Sequence, residues 1–209
     1  MHRIFVALLF AASLPRLAAA QPQPQPIHGD TTAYRHDRGF LLRLDLGVGY
    51  MKSSIDASPS LGIKGAGPEF GLLLGGPIAE NLVIGGHLWV VGSISPTLEQ
   101  GSLSASTNTD TSNTLVALGP NITYYLMPAN AYLSVSPSIT RLSITTGGSS
   151  GTSDAGFGMQ LAVGKEWWVS GNWGLGLAGQ FMFSTNNDRD GGPQITTLAG
   201  ALAMSATFN

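Results

Sequence analysis

The chain has 209 residues, and only 11% of them are charged, against roughly 25% in ordinary soluble domains. A formal net charge of −2 is too small to suggest a nucleic-acid partner, and the lack of cysteine excludes disulfides and thiolate metal sites. Beyond the N-terminus no apolar run approaches the ~20 residues that a membrane-spanning helix needs.

Residues 1–20 read as a secretory signal peptide: Arg3 in a short basic start, an apolar stretch over 4–14, and Ala18-Ala19-Ala20 as a small-residue cleavage site. No cysteine follows, so the segment is not a lipoprotein signal. Residues 21–38, opening on a repeated Gln-Pro tract, predict a disordered periplasmic lead-in. Residues 39–209 then form one domain.

Within that domain eight stretches alternate large apolar residues with small or polar ones. In the first, over about 39–51, Phe40, Leu42, Leu44, Leu46, Val48 and Tyr50 fall on one face. Leu41, Arg43, Asp45, Gly47, Gly49 and Met51 fall on the other. Strand side chains have period two, so strict alternation means two opposed faces of a β-strand. Phe70, Leu72 and Leu74 mark the second strand; Leu82, Ile84, Leu88 and Val90 the third. Val116, Leu118, Pro120, Ile122 and Tyr124 mark the fourth; Leu133, Val135, Pro137 and Ile139 the fifth. Phe157, Met159, Leu161 and Val163 mark the sixth, Leu175, Leu177, Phe181 and Phe183 the seventh, and Leu198, Leu202, Met204, Ala206 and Phe208 the eighth. The second face is rich in Gly, Ala, Ser and Thr and poor in the Lys and Glu of a water-facing surface. It therefore reads as the interior of a narrow barrel whose apolar face meets lipid.

An even count of eight closes an antiparallel up-and-down transmembrane β-barrel without exposed edges. Short turns are predicted after strands two, four and six (76–81, 127–130, 170–172), and long loops around 52–66, 93–113, 143–155 and 185–194. Pro120 and Pro137 predict local bulges. Phe40, Tyr124, Trp167, Trp173 and Phe208 lie near the short-turn end, and Tyr50, Phe70, Phe181 and Phe183 toward the loop end, as two interfacial aromatic girdles. Lys165, beside Trp167, is expected to snorkel to the interface.

The alternation into Phe208, together with Gly164-Lys165-Glu166-Trp167-Trp168, the run 172–178 and the turn 76–82, resembles the small eight-stranded outer-membrane barrels of Gram-negative bacteria, the group holding the OmpA transmembrane domain, OmpX and OmpW. The resemblance covers 39–209. It implies the bacterial outer membrane as the location, periplasmic termini, and recognition of the last strand by the outer-membrane assembly machinery, although Asn209 follows the aromatic residue. Outer-membrane lipid and lipopolysaccharide are the other partners, with a monomer expected.

Candidate chemistry is sparse. Arg43 with Asp45, and Glu69 with His87, form the expected polar network of the lumen, with Glu69 beside or diagonal to His87 across strands two and three. A self-satisfied interior explains these pairs better than an acid–base site, so no enzyme and no cofactor is predicted. Lys52, Lys64 and Arg141 lie near the loop-end rim, where cations meet lipopolysaccharide phosphates. Asp188 and Asp190 supply two carboxylates, short of the roughly six to eight oxygens of a calcium site. The functional expectation is a structural or surface-interacting barrel without a general pore. The alternatives are a narrow OmpW-like conduit for small hydrophobic molecules, with a lateral opening near the prolines, and a soluble lipocalin-like carrier with inverted faces.

Overall fold

A computed structural model describes residue 36 and residues 39–55, 61–101, 103–107, 110–189 and 192–209. The predicted signal peptide, and the lead-in apart from His36, lie outside the described residues. The chain forms eleven strands among those described: β1 (Leu41–Ile55), β2 (Leu61–Ala79), β3 (Leu82–Ile94), β4 (Thr97–Gln100), β5 (Leu103–Ser106), β6 (Thr111–Leu126), β7 (Ala131–Thr146), β8 (Ser149–Thr152), β9 (Gly156–Trp168), β10 (Trp173–Asn187) and β11 (Gln194–Phe208).

Eight of these, β1, β2, β3, β6, β7, β9, β10 and β11, pair antiparallel with their neighbours in chain order. β11 returns to β1, from Leu42 opposite Phe208 to Ile55 opposite Ile195. The sheet is therefore a closed eight-stranded barrel. β4, β5 and β8 are short additions at the loop end: β4 pairs with β2, β5 with β4, and β8 with β7.

The faces follow the alternation. Val48 (69% exposed), Ile139 (69%) and Leu202 (72%) stand on the outer wall, while Arg43, Met51, Leu73 and Trp89 on the opposite face are buried. A continuous outer band of this kind has no place in water, and it fits the hydrocarbon of a bilayer. Tyr50 lies nine residues after Leu41, Phe70 nine before Ala79, and Phe183 ten after Trp173. Tilted strands cross a membrane in about nine to eleven residues, so the loop-end aromatics stand one bilayer away from Phe40, Trp167 and Trp173. The rings of Trp173 and Phe208 meet edge-on at 5.3 Å. Lys165 reaches back to the Ala129 carbonyl at 2.8 Å and lies 5.7 Å from the Trp167 ring centre.

Three features differ from the sequence reading. The long loops are shorter than predicted, because strand continues through Ser54, Ile63, Thr145 and Thr185, and the hairpin β4–β5 fills much of 93–113. Once a strand leaves the bilayer it needs no apolar outer face, so alternation fades while the hydrogen-bond ladder continues. The first turn is also tighter: β2 runs on to Ala79, with its register shift between Pro77 and Ala79. The bulge expected at Pro120 and Pro137 is absent. The β6–β7 register is the same on both sides, Leu118 with Ile139 and Ile122 with Val135, and the pairing is interrupted between them. That register sets the two prolines opposite each other, so two missing N–H donors open a gap in the ladder without inserting a residue.

The interior filling of the barrel

Large interior side chains are seated against small ones. Trp89 lies between Gly71 on β2 and Ala117 on β6. Tyr132 faces Gly164 on β9, where an added Cβ would run into the tyrosine ring, 2.6 Å from its Cε1. Eight strands leave an interior that side chains can just fill, and this sequence fills it in layers.

The layer nearest the turn end is built on Arg43. Its guanidinium lies 4.2 Å from the centre of the Tyr132 ring, and its Nε is 3.7 Å from Asp45 Oδ2, with both charged groups buried. Glu166 accepts from the Thr207 hydroxyl at 2.7 Å and from the Tyr125 hydroxyl at 3.5 Å. Leu41, Leu73, Val83 and Ala178 surround this group. Among the described residues Arg43 is the one inward-facing Arg or Lys, with the buried carboxylates Asp45 and Glu166 interacting with it.

The next layer is uncharged apart from Glu69. Asn121 donates to Ser134 at 2.6 Å and to Ser136 at 2.7 Å, and Ser136 also meets His87 Nδ1 at 3.1 Å. Gln180 Oε1 accepts from the Trp89 indole and from Gln160 at 3.2 Å. Above it, Met51, Val91, Leu115 and Met182 close an apolar layer, and Ser53 meets Thr197 at 2.8 Å.

Arg43 and Asp45 are thus brought together, and Glu69 and His87 are not. Glu69 lies opposite Val91 and His87 opposite Leu73, so Trp89 comes between them on the inner face of β3. The tighter turn moved the register past the predicted pairing. Glu69 makes no hydrogen bond of good geometry, though Trp89 and Gln180 adjoin it. Glu166, Trp89, Tyr125 and Tyr132 complete the filling and were not singled out from the sequence. The signal was present: Glu166 shares parity with Gly164, and Trp89 falls between outward Leu88 and Val90.

The turn-end mouth is closed by His36. Its ring stacks on Tyr125 with centres 3.5 Å apart, and its Nε2 lies 3.1 Å from Asn130 Oδ1. A residue that the sequence reading assigns to the lead-in is therefore part of the barrel's filling.

At the loop end Lys52 and Lys64 are cross-strand neighbours on the outer wall, and both bind Glu99 of β4, Lys52 at 3.0 Å. Arg141 is outward and exposed on β7, away from this pair. The two lysines share one carboxylate, so one positive charge is left over at that spot. The Lys64 hydrogen bond, and then that of Lys52, hold Glu99 below the usual carboxylate range. A lowered carboxylate stabilises at pH above its unfolded value, and the contribution is lost as pH falls through the folded value. Amide exchange in β4 should therefore stay slow from neutral pH through the ordinary carboxylate range and quicken only below it. Loosening that begins near neutrality, or an acid step that survives Glu99→Gln, would contradict this attachment. Asp188 remains with Arg189 at the β10–β11 connection, where Arg189 donates its backbone N–H to Asp188 at 2.8 Å; Asp190 lies outside the described residues.

Comparison with known proteins bears on the fold. No family model matches the chain, and no curated protein matches it. Among solved structures, Neisserial surface protein A (NspA) matches with a TM-score of 0.59 at 17% identity, over 82% of this chain and 97% of that one. OprG from Pseudomonas aeruginosa gives 0.49 at 11% identity, over 83% of this chain and 98% of its own. AlkL, solved in DMPC lipid bilayers, gives 0.49 at 12%, over 90% and 95%. With the ring closed from β1 to β11, the chain has the fold of the small eight-stranded outer-membrane barrels.

Proposed function

We propose that this barrel is a closed anchor in the bacterial outer membrane, and that it works through its loop end and outer wall, not through a pore or a catalytic centre. One observation carries the reading: the lumen is occupied from His36 at one mouth to Met51, Leu115 and Met182 near the other by side chains that touch or bond one another. Water and solutes have no continuous route through such a filling. Buried polar groups bonded among themselves are structural in the ordinary case, and Glu69 and His87 stand apart, so the acid–base pair expected from the sequence does not form among the described residues.

Both termini belong on the periplasmic side, since an even number of crossings returns the chain to where it began. The outer rim then carries Lys52, Lys64 and Arg141 at the level of lipopolysaccharide, with one carboxylate already sharing the two lysines. The last strand, ending on Phe208, is the element the assembly machinery would read. Protease added to intact cells should cut only in the connections β1–β2, β5–β6, β7–β9 and β10–β11. Cleavage at 127–130 or 169–172 would invert the orientation.

Liposomes carrying the purified protein should fail to swell in small sugars; swelling at the rate of a porin would overturn the closed reading. The second reading, a conduit for small hydrophobic molecules, draws on the interrupted β6–β7 ladder at Pro120 and Pro137. Behind that gap lie the bonded side chains of Asn121, Ser134 and Ser136, which favours the closed barrel.

A further inference from the structure

His36 is wholly buried although it lies outside every strand. Four parts of the turn end hold it. The Asn81 amide, in the β2–β3 turn, donates to its carbonyl at 3.1 Å. Tyr125 of β6 stacks on its ring with the planes 17° apart, and Trp168, at the end of β9, lies 5.5 Å away. Asn130, in the β6–β7 turn, accepts from Nε2 at 3.1 Å. A buried ring N–H and a buried carbonyl each cost free energy without a partner, and the mouth supplies both partners.

The barrel itself shapes this seat. Asn81 and Asn130 stand in the left-handed region at φ 60° and 50°, which asparagine tolerates better than most residues. The Asn81 carbonyl accepts from the Tyr125 amide at 2.8 Å, and the Asn130 carbonyl accepts from the Glu166 amide at 2.9 Å. The Asn130 side-chain amide donates to the Glu166 carbonyl at 3.4 Å, which turns its oxygen toward His36. Donor, acceptor and ring face are thus fixed by strands and turns that do not include the lead-in. The lead-in is joined to β1 through Gly39, at φ +91°, a conformation that residues with a side chain rarely adopt. That bend, two residues before Leu41, returns the chain beneath the mouth.

Resting on the closed-barrel reading, we infer that the turn-end mouth is a preformed seat for a histidine carried on a chain segment, and that the lead-in occupies it in cis as a displaceable lid. The parts of the seat define what it takes: a flat ring for the Tyr125 face, a ring N–H for Asn130 and a backbone carbonyl for the Asn81 amide. Phenylalanine lacks the N–H, and lysine lacks the plane. The contacts are few and non-covalent, so the lid exchanges while the barrel stays folded. Lifting it uncovers the Tyr125 face and no channel, because the layers of Arg43 with Tyr132 and of Met51 with Leu115 remain filled.

The test uses the full protein in lipid nanodiscs, with limited trypsin digestion and NMR of the Asn81 amide. Arg35 and Arg38 flank His36 in the sequence. The wild type should be cut slowly at both, while the β10–β11 connection is cut at Arg189. His36→Ala should speed cleavage after Arg38, and Gly39→Val, which alters no residue of the seat, should speed cleavage after Arg35. Each gain should be at least about tenfold, the equivalent of one buried hydrogen bond with its ring stack. A synthetic peptide of residues 31–39 should then shift the Asn81 amide of His36→Ala saturably and leave the wild type unchanged. The same peptide with phenylalanine in place of histidine should bind at least about tenfold more weakly, for want of the ring N–H. Wild-type cleavage at Arg35 and Arg38 as fast as in the variants would overturn the lid. No saturable shift in His36→Ala, or equal binding of the two peptides, would overturn the seat. Sugar permeation by the variants alone would overturn the blind mouth, whereas permeation by the wild type marks failure of the closed-barrel reading instead.

Discussion

Leu46→Arg and Leu177→Arg should each destabilise the barrel by about 2–4 kcal/mol in lipid, the cost of a cation near the bilayer midplane on a lipid-facing wall. Both residues lie opposite Met204 in the ladder, Leu46 from β1 and Leu177 from β10, so they stand at one height of the wall. Each is four or five residues above the turn end of its strand, about half of a span. The cost is specific to depth. Ser150→Arg, on β8 beyond the outer band, should change stability little, because a cation there remains in water. Denaturant titration in lipid vesicles reads all three. Midplane arginines that behave like Ser150→Arg would mean that the outer wall does not meet hydrocarbon.

Arg43→Ala should cost about 3–5 kcal/mol, as expected when one partner of a buried charged group is removed. The reason lies in the count of charges: Arg43 is the inward cation among the described residues, and the buried carboxylates Asp45 and Glu166 interact with it. The guanidinium is also held from one side by the Tyr132 ring, so its loss removes packing as well as charge. The filling is a static plug in this account, and the destabilised variant should remain electrically silent once refolded. Steady channel current from Arg43→Ala at unchanged stability would identify Arg43 as a gate.

Within the bilayer the sequence was easy to read, because two solvents act on opposite faces of each strand. Leu44 and Arg43 differ in parity, and period two leaves them no common side. Outside the bilayer that contrast disappears. Ser53, Thr145 and Thr185 continue ladders that no periodicity announces, and β4, β5 and β8 were hidden in stretches that look like loop. The interior was legible in its parity and not in its partners. Which residues meet across a lumen depends on register, and the register of β2 against β3 was set by a turn tighter than the alternation suggests. That turn separated Glu69 from His87 and put Trp89 between them. Pro120 and Pro137 carry a related lesson: each alone suggests a bulge, and only their placement opposite each other turns two missing donors into a gap at constant register. His36 gave no signal at all, since one histidine in a polar lead-in has no pattern to belong to.

The central claim is a barrel filled along its axis, and single-channel recording in planar bilayers tests it most directly. The wild-type protein should insert and give no resolvable current above leak across the working voltage range. Reproducible unitary steps from the wild-type protein would contradict the filled lumen.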